Sequence, residues 1–145
     1  MQDKFARMIT TEERGLVRDN IILLKMLEMI DFNRKQIENS TNLLRPIFLK
    51  AADRLLDLVL ADLKNIRLQL RKANIKWWEG EQKNLVLSYH IVCRAFEDTF
   101  GMTRDVAKTQ LSIKFGEYFA LVSEPFKSRS FTDVANVASN TVEIP

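Results

Sequence analysis

The sequence predicts a mainly α-helical protein: a small helical bundle with two long antiparallel N-terminal helices. Apolar residues recur every three or four positions over long stretches, as on the buried face of a helix. The 145 residues include only 4 glycines and 3 prolines, and so few chain breakers argue against many short strands. The region of about residues 75–92 is the exception, because its pattern also fits a small β-hairpin.

Length and composition indicate one globular domain. Hydrophobic residues make up 46% of the chain and charged residues 28%, which is typical of a folded protein that buries its own core. We expect a single helical domain over residues 1–125. Residues 126–145 are rich in Ser, Thr and Asn, and we expect them to form a C-terminal appendage or a flexible tail.

Cysteine usage and hydropathy predict a cytoplasmic protein that does not enter a membrane. A single cysteine cannot form an internal disulfide, so nothing points to an oxidising compartment. No segment approaches the roughly 20 consecutive apolar residues that span a bilayer, and charges interrupt the first residues throughout.

The first long helix is predicted to begin after Thr10. Thr10 and Glu13 have the spacing of a capping box, in which each side chain bonds the other residue's backbone N–H. The apolar seam that follows predicts a helix in a bundle; its residues are Leu16, Leu23, Leu27, Ile30 and Ile37, with Val17, Ile21 and Leu24 beside it. The polar run at 39–42 favours a turn.

The second long helix is the strongest pattern in the sequence. Pro46 suits the first turn of a helix, where its missing N–H would have no partner anyway. A heptad seam then continues for three repeats through Leu49, Ala52, Leu56, Val59, Leu63, Ile66 and Leu70. We expect Leu56, Val59 and Leu63 to be almost fully buried.

A basic segment with aromatic side chains follows this seam at residues 64–78. It contains no acidic residue between Leu63 and Trp78. Cations followed by aromatic rings can hold phosphates and stack a base; the candidate residues are Lys64, Arg67, Arg71, Lys72, Lys76, Trp77 and Trp78. The alternative interpretation is structural, because cations also suit a helix C-terminus and tryptophans beyond it often belong to the core.

Residues 85–94 fit either a strand or a helix by periodicity. Their β-branched and aromatic residues favour a strand, and the turn-like segment at 79–84 could join it to a first arm at 74–79. In either case we expect helical turns from about residue 94 to Gly101.

The last helix is predicted to follow Thr103, which can cap it, and to end before Pro125. Its expected buried stripe is Ala107, Leu111, Phe115, Tyr118 and Val122.

The sequence contains few combinations of residues that indicate a catalytic or metal site. His90, Cys93 and Glu97 would share a helical face, but zinc sites need three or four N or S ligands, and the chain has one histidine and one cysteine. We expect no metal, no cofactor and no catalytic residue, and hence a non-enzymatic protein. Two functions stay open: a binding or regulatory protein that contacts proteins and forms a homodimer, and a nucleic-acid-binding accessory protein that uses the 64–78 segment.

Overall fold

The computed structural model describes residues 8–124, which form three helices and one three-stranded antiparallel sheet. In chain order the elements are α1 (Thr11–Glu38), α2 (Arg45–Lys72), β1 (Ile75–Glu79), β2 (Val86–Cys93), β3 (Phe96–Thr103) and α3 (Arg104–Ser123). The two long N-terminal helices and the hairpin are confirmed. The fold is mixed α and β, however, so the prediction of a mainly helical bundle is correct only in part: α3 follows Thr103 as expected, but a three-stranded sheet lies between α2 and α3 in the chain. The predicted tail at 126–145 lies outside the described residues.

Helices α1 and α2 form an antiparallel hairpin. The capping box at the start of α1 is present, with the Glu13 backbone N–H donating to Thr10 Oγ1 and the Thr10 N–H donating to Glu13 Oε1. Near the loop, Arg34 of α1 donates to Asp53 of α2 at 2.7 Å. None of the helices in residues 8–124 combines the length and apolarity needed to cross a bilayer.

The sheet is a meander in the order β1-β2-β3, with Ile75 opposite Cys93 and Cys93 opposite Phe96. Side chains alternate between its faces. The inner face joins the helices in one core; its buried residues are Ile75, Leu87, Tyr89, Ile91, Cys93 and Met102. The outer face carries Lys76, Trp78, His90 and Thr99, which are exposed.

The helical turns expected from residue 94 to Gly101 are wrong, because this segment is strand β3. Arg94 and Ala95 alone connect β2 to β3, and both have positive φ, of 50° and 67°. A two-residue hairpin of this kind needs left-handed backbone at both positions, for which Asn and Gly are the usual residues. Because neither Asn nor Gly is present at these two positions, their residue types did not indicate a turn.

Candidate binding surfaces

The basic segment at 64–78 lines an open groove between the end of α2 and strand β1. The groove has a volume of about 640 Å³. It is lined by Arg67, Leu70, Arg71, Asn74, Ile75, Lys76, Trp77 and Trp78. Five of the seven candidate residues therefore lie together, whereas Lys64 and Lys72 are exposed on α2 outside the lining.

Within the described part of the chain, no ion pair neutralises the positive charge of this segment. Across residues 8–124 the ion pairs use other cations, such as Arg14 with Asp98 and Arg94 with Glu13. No ion pair in that range includes any of the five cations of the segment. The groove is therefore a surface of uncompensated positive charge.

The two tryptophans have different roles because they are neighbours on a strand and point to opposite faces of the sheet. Trp77 faces inward and packs against the core, with its ring edge-on to Tyr89 at a centroid distance of 6.0 Å. Trp78 faces outward and keeps 49% of its surface exposed. The structural interpretation is thus correct for Trp77, and Trp78 is free to contact a partner.

The Trp78 ring is held in place by His90, which lies opposite it in the β1–β2 register. The two rings are stacked, with centroids 5.7 Å apart and planes inclined by 27°. Gly80 leaves room for the imidazole, since a Cβ at that position would lie only 3.0 Å from His90 Nε2. The sequence did not predict that His90 and Gly80 lie beside Trp78, because only the strand register brings these residues together.

A second groove, of about 350 Å³, runs along the outer face of the sheet beside this ring pair. Its lining includes Trp78, His90 and Thr99 as well as the acidic residues Glu97 and Asp98. Trp78 lines both grooves. Trp78 therefore stacks on His90 and also contributes to the lining of the basic groove.

The trio of His90, Cys93 and Glu97 does not assemble. In strand β2, His90 is exposed on the outer face, whereas Cys93 is fully buried on the inner face. Burial raises the pKa of the Cys93 thiol, which disfavours the nucleophilic thiolate. No group of three or more metal-binding side chains occurs within the described residues.

A different surface, on helix α3, is apolar. The helix docks on α1 and α2 through Ala107 and Tyr118, which are buried, and the Tyr118 hydroxyl donates to Asp62. Phe115 was expected in the buried stripe, but it is 41% exposed, because the helix is apolar on several sides and only one side meets the core. Phe119 is 64% exposed and Ile113 is 50% exposed.

Between these large side chains lies a ridge of small residues. Ser112, Gly116 and Ala120 recur every four residues, so they share one side of α3, and all three are exposed. A Cβ placed on Gly116 would meet no atom within 4 Å. The ridge lies opposite Tyr118 on the helix, and so points away from the core. We call Ser112, Ile113, Phe115, Gly116, Phe119 and Ala120 the α3 outer face.

The loop end of the α1–α2 hairpin is also apolar at its surface. Phe32 and Ile47 are 63% and 62% exposed, and Leu43 in the connection is 92% exposed.

Comparison with known proteins identifies a family but no activity. A family model described as YhjD protein matches residues 8–123, which is most of the chain. No curated protein and no solved structure gives a significant match.

Proposed function

The chain belongs to the YhjD protein family, and we propose that it is a small non-enzymatic binding protein that acts through protein–protein contacts. Its first partner is a second copy of itself, bound through the α3 outer face. The observation that carries this proposal is the exposure of Ile113, Phe115 and Phe119 on a helix whose opposite side already packs on the core.

The chemistry of the α3 outer face favours a homodimer over a transient partner. Its six residues are apolar or small, and the exposed charged residues on the same side of the helix, Asp105 and Lys108, lie toward the start of α3. Interfaces between identical subunits are more apolar than those of transient complexes. Burying apolar surface stabilises a complex by about 25 cal/mol per Å², so a face of this kind lowers the free energy when a second apolar surface covers it.

The arrangement of the ridge also suits a twofold axis. A twofold interface brings the same patch of each subunit together. Ser112 and Ala120 lie four residues before and after Gly116, so two antiparallel copies of α3 that cross at Gly116 would place small residue against small residue. Close approach of the backbones would then let Phe119 and Ile113 pack on the partner helix.

Sedimentation equilibrium tests this proposal. We expect the wild-type chain, of 16.9 kDa, to sediment with twice that mass at micromolar concentration. Phe119→Glu should yield the monomer, since it would place a charge in an apolar interface while altering a side chain that is 64% exposed in the subunit.

Leu43→Glu is the matched control. This variant also replaces an apolar side chain with a carboxylate. Leu43 is 92% exposed and lies in the connection between α1 and α2, at the end of the helical pair far from the sheet. The variant should leave the dimer intact. A monomeric wild type at high micromolar concentration would refute self-association, and dissociation by Leu43→Glu rather than Phe119→Glu would move the interface to the hairpin loop.

A further inference from the structure

We propose that the groove between α2 and β1 binds single-stranded nucleic acid. Arg67, Arg71 and Lys76 would hold the phosphates, and the exposed side of the Trp78 ring would stack on a base. This site lies outside the α3 outer face and does not depend on dimer formation.

The charge distribution provides the first support. Arg67 and Arg71 are one turn apart on the same side of α2, so their guanidinium groups form a row along one wall. Lys76 of β1 completes the lining cations. As none of the three is in an ion pair with a carboxylate within residues 8–124, a phosphate chain could bind them without displacing an internal partner.

The Trp78 ring provides the second support. Its stacking on His90 fixes the ring before a ligand arrives, so little side-chain entropy is lost on binding. Trp78 also lines the basic groove together with Arg67, Arg71 and Lys76, so its exposed surface shares that groove with the cations. Cations beside an aromatic ring are the usual features of proteins that bind single strands, in which the bases are free to stack.

The surrounding groups favour a single strand over a duplex or an acidic peptide. A duplex keeps its bases stacked on each other and offers no free base to Trp78. An acidic peptide would use the cations but has no base to stack on the indole. Glu97 lines the outer-face groove beside Asp98, whose charge is paired with Arg14, so Glu97 is the group that would repel phosphates there and keep the backbone of the strand on the α2 side.

Fluorescence titration with labelled oligo(dT) and oligo(rU) tests the charge contribution. Binding should weaken steeply with salt, and the triple variant Arg67→Gln, Arg71→Gln, Lys76→Gln should lower the slope of log K against log salt by about 0.7 for each lost phosphate contact. The matched control is Arg54→Gln, Arg104→Gln, Lys108→Gln, which removes the same charge from exposed positions elsewhere. It should leave the slope nearly unchanged.

Variants of Trp78 test whether its ring stacks on a base. Trp78→Ala should weaken binding about 5- to 150-fold, the effect expected for losing one base–aromatic stack. Trp78→Phe keeps a ring and should restore part of that loss. The chain has two tryptophans, so Trp77→Phe leaves Trp78 as the only indole, and oligo(dT) should quench its emission.

Three results would overturn the proposal. The first is no binding of either oligonucleotide by the wild type at low salt. The second is equal weakening by the groove triple variant and its control. The third is heparin binding as tightly as oligo(dT) while Trp78→Ala affects neither, which would make the groove a general polyanion surface.

Discussion

At the scale of single residues, Arg94 connects three parts of the fold. Its guanidinium donates to the Glu13 carboxylate at 2.8 and 2.9 Å, to the carbonyl of Ala73 at the end of α2, and to the carbonyl of Met8. Because Arg94 itself sits in the β2–β3 turn, this one side chain ties the start of α1 and the end of α2 to the sheet. The capping box was predictable from local spacing, but the partner of Glu13 is 81 residues away.

The ion pair between Arg94 and Glu13 predicts that the free energy of unfolding falls at acid pH. Hydrogen bonds from Arg94 lower the pKa of Glu13 from 4.5 to about 2. Since the folded-state pKa is the lower one, the contribution of Glu13 to stability is fully present above pH 4.5. It is lost as the pH falls from 4.5 toward 2, where the carboxylate is protonated in the folded state too.

Glu13→Gln isolates this charge, because Gln also completes a capping box. We expect the variant to lose about 1–3 kcal/mol of unfolding free energy at neutral pH, measured by urea denaturation. The difference from wild type should shrink steadily between pH 4.5 and 2. A difference of constant size over that range would show that the charge of Glu13 is not responsible.

At the scale of elements, the helices were predictable because their apolar residues recur with the helical period. In α2 the expected seam is confirmed by Val59, which is fully buried, and by Leu63, which is 3% exposed. Leu56 is only partly buried, so its expected full burial is wrong. Periodicity identifies the side of a helix that faces the core, but the depth of each residue depends on which elements pack above it.

The α2 seam gives a prediction for stability. Leu63→Ala should cost about 2–5 kcal/mol of unfolding free energy, the range for emptying a well-packed core site. Leu60→Ala, on the same helix at a side chain that is 50% exposed, should cost less than about 0.5–1 kcal/mol. Equal losses in urea denaturation would mean that the seam does not define the core.

The strands were less predictable than the helices for a physical reason. A hairpin depends on its turn as much as on its arms. The segment at 79–84 contains Gly80 and Asn84, which favour a turn, but other turn positions carry residues that rarely indicate one. Leu85 has a φ of 65° and Ala95 a φ of 67°, although neither is Gly or Asn. The basic residues of the candidate groove could be identified from the sequence, but the support of Trp78 by His90 depends on cross-strand register.

At the scale of the whole molecule, two surfaces of different chemistry lie in different places. The basic groove lies where α2 meets β1, and the apolar α3 outer face lies on the side of α3 away from the core. Overall composition indicated neither location, since a net charge of +3 and 46% hydrophobic residues are compatible with many surfaces. Only the packing of α3 decides which of its apolar residues stay exposed.

We propose that two copies of the chain meet at the α3 outer face. An engineered disulfide across the twofold axis would test this contact. The native chain has one cysteine, Cys93, which is fully buried, so an introduced Gly116→Cys would supply the reactive thiol. The new side chain has room in the subunit. Thiols of two α3 helices that cross at Gly116 would fall within disulfide range, with Cα atoms about 4.4–6.8 Å apart.

Mild oxidation of the Gly116→Cys variant at low micromolar concentration should therefore produce a covalent dimer on non-reducing gel electrophoresis. Leu43→Cys, with its thiol at the exposed hairpin loop, should remain mostly monomeric under the same conditions. If Gly116→Cys forms no more covalent dimer than Leu43→Cys, the α3 outer face is not where two copies meet.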